Sequence, residues 1–258
     1  MEFIDRDLSR EIRHKVKSIT FAEDASKKYG FQKSLFCDQI QRKFLEMNAR
    51  RQSLHMDHLR GSRRKHFKEE FSRLKSAYEW GLENFDPKTF NEGYVCELAH
   101  RIRPETFGYR NTGGKISGSA LVPPSPSHVR TEEMPLFVSE LQEKLSSKED
   151  VIDLLISSFY AHFHLVRIHP FEDGNGRTAR LLQDIIIADS GLPPPVVEAG
   201  ERITYYNQLE KAHVGFRHKG SLGGRPNGAT LGEHDFYTFM AGKFNVSLDA
   251  LTDCLFAE

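Results

Sequence analysis

Residues 169–180 read His-Pro-Phe-Glu-Asp-Gly-Asn-Gly-Arg-Thr-Ala-Arg and interrupt two apolar stretches, residues 151–168 and residues 181–188. The upstream stretch carries apolar side chains at helical spacing, with Val151, Leu155, Phe159, Phe163 and Val166 on one face. The proline and the Gly-Asn-Gly turn prevent one continuous helix, so the twelve residues are predicted to form a loop that opens a second helix. Because the first backbone N–H groups of a helix lack partners and carry partial positive charge, the loop predicts an anion site.

The side chains around this loop are the types that phosphate chemistry needs. Arg177 and Arg180 lie three residues apart, hence on one helix face, and planar guanidinium groups suit phosphate oxygens. Asp173 offers a hard oxygen ligand for Mg²⁺, which commonly takes one or two carboxylates together with substrate phosphates. His169, at the other end of the loop, is a candidate general base near neutral pH. The segment therefore predicts phosphate-centred chemistry.

Other interpretations of the same residues are weaker. Residues 174–179 satisfy the loose GxGxxA dinucleotide pattern, but they follow a predicted helix where that pattern requires a strand. A GxxxxGK[ST] phosphate loop is missing from the sequence. His162 and His164 point about 200° apart on a helix, which favours a core or surface role over a metal cluster. A structural capped turn without activity stays open on the residues alone.

Composition narrows the class of protein. The chain has 258 residues, of which 38% are hydrophobic and 28% charged, as in ordinary globular proteins. Its 36 basic and 36 acidic residues balance, so no overall field draws it to nucleic acid or a membrane. Three cysteines lie far apart, which argues against a disulfide framework or a cysteine zinc site. With no predicted signal peptide or membrane span, we expect a cytoplasmic protein.

The rest of the chain is predicted to be mainly helical. Residues 1–80 are charge-rich with apolar positions at helical spacing, and the basic run at 62–68 is followed at once by two glutamates, which favours a solvated helix face. Further helices are expected after Asn91 and over residues 131–145. Residues 107–125 are rich in glycine, serine and proline, with Gly-Gly at 113–114. That composition fits either a short hairpin or a linker.

Residues 169–180 resemble the signature of the Fic (filamentation induced by cAMP) family, HPFx[DE]GNGRxxR, and match it at every specified position. The resemblance extends over roughly residues 95–245 and includes a flap hairpin near 107–125 and a helix beside the adenine at 203–212. It implies an all-α helical bundle with a short β-hairpin flap. The implied division is a helical N-terminal segment, residues 1–94, that is a candidate for regulation or homodimerisation, and a Fic core over residues 95–258.

The resemblance also implies a reaction. Fic enzymes typically transfer AMP from ATP to a hydroxyl of a target protein, with no nucleic acid or membrane partner implied here. By position, His169 would deprotonate the target serine, threonine or tyrosine, and Asp173 would hold Mg²⁺ between the α- and β-phosphates. Arg177 would stabilise the leaving pyrophosphate, and Arg180 would bind the γ-phosphate. Relatives with another outcome (AMP removal, or transfer of UMP, phosphocholine or phosphate) and a non-catalytic nucleotide sensor are the alternatives.

The nucleotide seat follows in the same way. Asn175, also assigned a catalytic role, would cradle the phosphates with the backbone N–H groups of Gly174 and Gly176, while Tyr205 and Tyr206 would lie near the adenine. Where several relatives carry asparagine, this chain has a histidine, His213, so the base contact differs from theirs.

Many Fic proteins silence themselves with a helix bearing [ST]xxxE[GN], whose glutamate pairs with the second arginine. This chain holds only partial matches: Glu83-Asn84 ends one, with Glu79 in the hydroxyl position, and Ser53 begins another, with Asp57 in place of the glutamate. These are the candidate inhibitory residues.

Overall fold

The structure, a computed structural model, describes residues 1–29, 62–116, 119–220 and 228–256. We number the helices α1 (Arg6–Tyr29), α2 (Ser62–Asn84), α3 (Glu92–Ile102), α4 (Met134–Ser146), α5 (Val151–Ile168), α6 (Asn175–Ala188), α7 (Arg202–Gly220) and α8 (Leu231–Phe256). A helical turn at Pro126–His128 and a π-helical stretch at Val129–Glu133 lead into α4, and a 3₁₀ turn at Ala199–Glu201 precedes α7. The predicted all-α architecture is confirmed for the described residues.

Helices α5 and α6 form the centre of the bundle, and the other helices pack around them. Asp150 caps α5 by accepting the N–H groups of Ile152 and Asp153, and the Asp153 side chain returns a bond to the cap, as in a capping box. Most side chains of α5 are buried. By length and composition alone, this helix is long and apolar enough to cross a membrane. Most of it is buried inside the protein, however, as in the core helix of a globular protein.

Helix α2 reaches the central pair because a glycine allows it to approach closely. A Cβ atom on Gly81 would collide with the side chain of Ile185 on α6. The hydroxyl of Tyr94, on α3, donates to the Gly81 carbonyl at 2.8 Å and fixes the same crossing. This contact places α2 alongside α6, so the N-terminal half of α2 lies beside the loop that opens α6.

The expected hairpin at 107–125 is not seen: within 107–116 and 119–125 the chain forms turns and extended segments without a strand. The carbonyls that a ladder would use are occupied, since the guanidinium of Arg110 binds the carbonyls of Thr112 and Pro124. Pro123 and Pro124 also lack the N–H groups that strand pairing needs. We call residues 107–125 the flap segment, keeping the position but not the predicted strands.

Candidate active site

Two left-handed residues bracket the loop between α5 and α6. His169 ends α5 with φ 52° and ψ 55°, and among the described residues it is the one non-glycine with a positive φ. Gly174 begins α6 with φ 85°, a conformation that glycine adopts without strain. Such strain in a side-chain-bearing residue persists only where the surroundings impose it, and it concentrates at functional sites.

The imidazole of His169 is a neutral base. Its Nδ1 lies 3.4 Å from the carbonyl of Val166, so a proton on Nδ1 leaves Nε2 with a free lone pair. Burial lowers the pKa of His169, the Val166 carbonyl and Asp173 act in the opposite direction, and the charge of Arg110 lowers the pKa further. The ring is therefore deprotonated at neutral pH, as a proton acceptor must be.

Asn175 holds the loop in shape from inside. Its Oδ1 accepts the Phe171 N–H at 2.8 Å, and its Nδ2 donates to the Phe171 carbonyl at 2.7 Å. Both residues are buried, and the Phe171 ring has no exposed surface. The side chain of Asn175 is thus engaged with the loop backbone. In the structure Asn175 therefore positions the loop, and the phosphate contact expected from the resemblance stays a prediction.

The start of α6 is open to an anion. Gly174 supplies no side-chain cap, and the backbone N–H that the Asp173 carboxylate accepts is that of Gly174, at 2.6 Å. The N–H groups of the first helical turn, beginning at Asn175, have no partner within the helix. The guanidinium of Arg180 lies over Gly176, with Nη1 3.4 Å from the position that a Cβ atom would take. Backbone and side-chain donors therefore converge at this helix start.

The two predicted arginines differ in their partners. Arg177, 14% exposed, pairs with Glu70 of α2, itself 17% exposed, and also with Asp173 Oδ2 at 3.1 Å. Arg180 is half-buried, and no carboxylate within the described ranges pairs with it. A half-buried guanidinium beside an uncapped helix start favours a bound anion.

Asp173 lies at the mouth of the site with its side chain 58% exposed. Its Oδ2 is 3.1 Å from Arg103 Nη2 and 3.1 Å from Arg177 Nη2. Among the described residues no three potential metal ligands cluster, so a metal here would rest on this one carboxylate. One exposed carboxylate beside a phosphate seat fits Mg²⁺, which completes its shell with phosphate oxygens and waters.

The two predicted tyrosines of α7 differ in exposure. Tyr205 is buried, and its hydroxyl lies 2.8 Å from His162 Nε2, while His162 Nδ1 lies 2.7 Å from Gln183 Oε1. Tyr206 is 45% exposed. The structure therefore buries the ring of Tyr205 and leaves that of Tyr206 accessible, and the contact of either with adenine stays a prediction. Burial lowers the pKa of His162 to about 3, as expected of a core histidine.

His213 lies in the core and not at the nucleotide surface. Its ring packs against Phe163 at 4.9 Å between centroids, and burial lowers its pKa to about 4. Histidine at position 213, where several relatives carry asparagine, therefore affects the packing between α7 and α5.

Of the two candidate inhibitory carboxylates, Glu83 lies within the described residues and Asp57 does not. Glu83 is exposed near the end of α2, and no ion pair to Arg180 is present in the described part of the chain. Ser53 and Asp57 lie outside the described residues. The carboxylate of α2 that reaches the loop is Glu70, which binds Arg177. Sequence reasoning took it for part of a solvated face, because nothing local distinguishes Glu70 from its neighbour Glu69.

Two further residues were missed. Arg103 ends α3 and lies against the loop: a Cβ atom on Gly174 would be 3.2 Å from its Cγ. Arg110 is almost fully buried and donates from Nε to the carbonyl of His169 at 2.7 Å. The sequence gives only a weak signal for Arg103: it is a cation directly before Pro104, and a proline at that point predicts the end of a helix. Arg110 belongs to the stretch that resembles the family's flap, but the resemblance assigns no role to it.

Comparison with known proteins agrees with this geometry. Residues 89–187 match the model of the Fic/DOC family. A protein adenylyltransferase Fic from Nematostella vectensis is 36% identical over 118 residues, which are 46% of this chain and 26% of the relative. The protein adenylyltransferase fic-1 of Caenorhabditis elegans is 40% identical over 93 residues, 36% of this chain and 18% of the relative. The chain thus spans only a minor part of these relatives.

A solved structure matches over nearly the whole chain. It is a Fic domain containing signaling protein from Bacteroides thetaiotaomicron, which is similar with a TM-score of 0.66 and 20% identity, covering 93% of this chain and 97% of that one. At this identity the likeness concerns the fold. Residues 89–187, which contain the loop, thus match the Fic/DOC family, and the fold is similar to that of a solved Fic-domain structure.

Proposed function

We propose that this protein transfers AMP from ATP to a hydroxyl side chain of a target protein. The observation that carries the proposal is the loop itself, which has His169 at one end and, at the other, an uncapped helix start beside Arg180, a residue that pairs with none of the described carboxylates. The similar curated proteins are named protein adenylyltransferases, which supports this reaction. The constellation provides a base, an anion seat and guanidinium groups, the parts that phosphoryl-type transfer requires.

In the proposed reaction, His169 Nε2 accepts the proton of the target hydroxyl while the hydroxyl oxygen attacks the α-phosphorus. The bond between the α-phosphorus and the oxygen that bridges to the β-phosphate breaks, and pyrophosphate leaves with that electron pair. The first N–H groups of α6 and the guanidinium groups of Arg177 and Arg180 neutralise the developing charge. The proton on His169 then passes to pyrophosphate or water, which restores the base.

Asp173 is the residue that would hold Mg²⁺. When bound there, the ion would supply charge neutralisation on the phosphates. In the structure this carboxylate is neutralised by Arg103 and Arg177, which would turn to phosphate oxygens when a nucleotide enters. The other roles proposed here need only the chain's own residues: the base at 169, the helix start and the two arginines of α6.

The pairing of Arg177 with Glu70 extends the proposal to regulation. A guanidinium bound to a carboxylate from α2 cannot at the same time present all its donors to pyrophosphate. We therefore assign the N-terminal segment a restraining role through Glu70, and not through Glu83.

The experiment is incubation of the protein and a cell lysate with ATP labelled at the α- or the γ-phosphate, with Mg²⁺. Transfer of α label that disappears in His169→Ala supports the proposal. His218→Ala, an exposed histidine of α7, is the matched control and should keep the label. Transfer of γ label would indicate phosphorylation instead. Binding of ATP without transfer of either label would reject the proposal in favour of a nucleotide sensor or an AMP-removing enzyme.

A further inference from the structure

The buried guanidinium of Arg110 binds three backbone carbonyls from three parts of the chain. Its Nε donates to His169 at 2.7 Å, its Nη1 to Thr112 at 2.7 Å and its Nη2 to Pro124. The residue is 1% exposed. Thr112 lies in the first half of the flap segment and Pro124 near its end, so a single side chain joins both halves to the end of α5.

The backbone of the same residue adds a fourth link. The Arg110 N–H donates to the carbonyl of Pro170 at 2.8 Å, directly after the candidate base. Next to this link, Glu172 of the loop accepts the Asn111 N–H at 3.1 Å and the Thr112 hydroxyl. The flap segment and the catalytic loop are thus bonded along several consecutive residues, with Arg110 as the buried member.

The carbonyl bound by Nε belongs to the strained residue. His169 is held at φ 52°, and as the last residue of α5 its carbonyl has no partner within the helix. A charged donor on that carbonyl fixes the peptide plane, and with it the direction in which the Cα–Cβ bond carries the imidazole. A lysine could satisfy one carbonyl, but its single ammonium group lacks the planar fork that bridges three.

We propose that Arg110 is a positioning residue that couples the orientation of the His169 imidazole to the flap segment. The inference rests on the proposed function, in which His169 is the base. Arg110 touches neither nucleotide nor target in this scheme. It acts through the backbone of His169, so its loss should lower the rate of the chemical step and leave the affinity for ATP unchanged.

The test is chemical rescue of Arg110→Ala. This variant leaves three inward carbonyls around an empty volume of guanidinium shape, and we expect kcat for AMP transfer to fall about 100-fold, the size of loss that misplacement of a reacting group produces. KM for ATP should stay within about twofold, since no phosphate contact is removed. Ethylguanidinium should raise the kcat of the variant about tenfold, whereas butylammonium, of similar size and equal charge but without the planar fork, should not.

Two outcomes would overturn the proposal: equal rescue by both cations, or loss of ATP affinity in proportion to loss of rate. If Arg110→Ala does not fold, Arg110→Lys keeps the charge and most of the stem. In that variant, amide hydrogen exchange should accelerate at Asn111, Thr112 and residues 119–122 but not in α5 or α6. Exchange and kcat at the level of the parent protein would reject the coupling. Arg10→Lys, on exposed α1, is the control.

The exchange measurement also separates this inference from the proposed function. If the parent protein transfers no label, the proposed function fails. Faster exchange in the flap segment of Arg110→Lys would still support the link between flap and loop, and unchanged exchange would reject it. If the parent is active and both Arg110 variants match it, the proposed function stands and the positioning role is wrong.

Discussion

Replacing Glu70 by glutamine should tighten ATP binding, because it removes the carboxylate that occupies Arg177. The two side chains are 17% and 14% exposed, so solvent screens their attraction little. A charge-assisted hydrogen bond of this kind contributes about 1.5–3 kcal/mol, and part of it must be given up when Arg177 turns to phosphate. If about 1.4 kcal/mol of that cost is removed, the affinity for ATP rises about tenfold.

The assay is titration of Mg²⁺ and a fluorescent ATP analogue into Glu70→Gln, Glu69→Gln and the parent protein, followed by the rate of α-label transfer at low ATP. Glu69 precedes Glu70 on α2 and is exposed, so its substitution controls for the loss of one acidic charge from the helix. Identical dissociation constants for the two variants would refute the reasoning. The change in ATP affinity would then either follow from the loss of any acidic charge on α2 or not occur at all. A weaker affinity in Glu70→Gln would show that the pair holds Arg177 in its binding position.

Three further predictions follow from the buried groups. Burial lowers the pKa of His169 below 6.5, and only the neutral ring accepts a proton, so kcat/KM for transfer should decrease with falling pH only below pH 6.5. A decrease that already begins above pH 6.5 would contradict the burial of the ring. Asn175→Ala should lower the free energy of unfolding by about 2–5 kcal/mol, since it strands the buried N–H and carbonyl of Phe171; exposed Asn207→Ala should change it little in urea titrations. Folding holds His162 neutral with a pKa of about 3, so its own contribution to stability should be complete above pH 6.5 and be lost by about 1.4 kcal/mol for each pH unit below it; in thermal melts taken from pH 7 to 4, His162→Gln should reduce the slope of stability against pH by that amount, while other buried histidines such as His213 keep their contributions.

The centre of the fold was predictable because its causes are local. Pro170 and the glycines at 174 and 176 end one helix and begin the next within a few residues, and the apolar spacing of α5 specifies the face that packs. Backbone conformation and helical periodicity depend on near neighbours in sequence, so the loop and the flanking helices could be derived before any contact was known.

The supporting residues depend on contacts that no local pattern encodes. Glu70 reaches Arg177 across 107 positions, and Arg110 reaches His169 across 59. The predicted hairpin failed for the same reason. Gly113-Gly114 is a sound local turn signal, but the guanidinium of Arg110 takes the carbonyls that a ladder would need.

Taken together, these contacts distribute control of the site between two segments outside α6. Glu70, from α2, restrains an arginine that would neutralise the leaving group, while Arg110, from the flap segment, fixes the base that would activate the hydroxyl. The first acts on nucleotide affinity and the second on the chemical step, so the double variant Glu70→Gln with Arg110→Lys should show additive changes in log Kd and log kcat. Strong non-additivity would mean that α2 and the flap segment act on one shared conformational change of the loop and not on two separate groups.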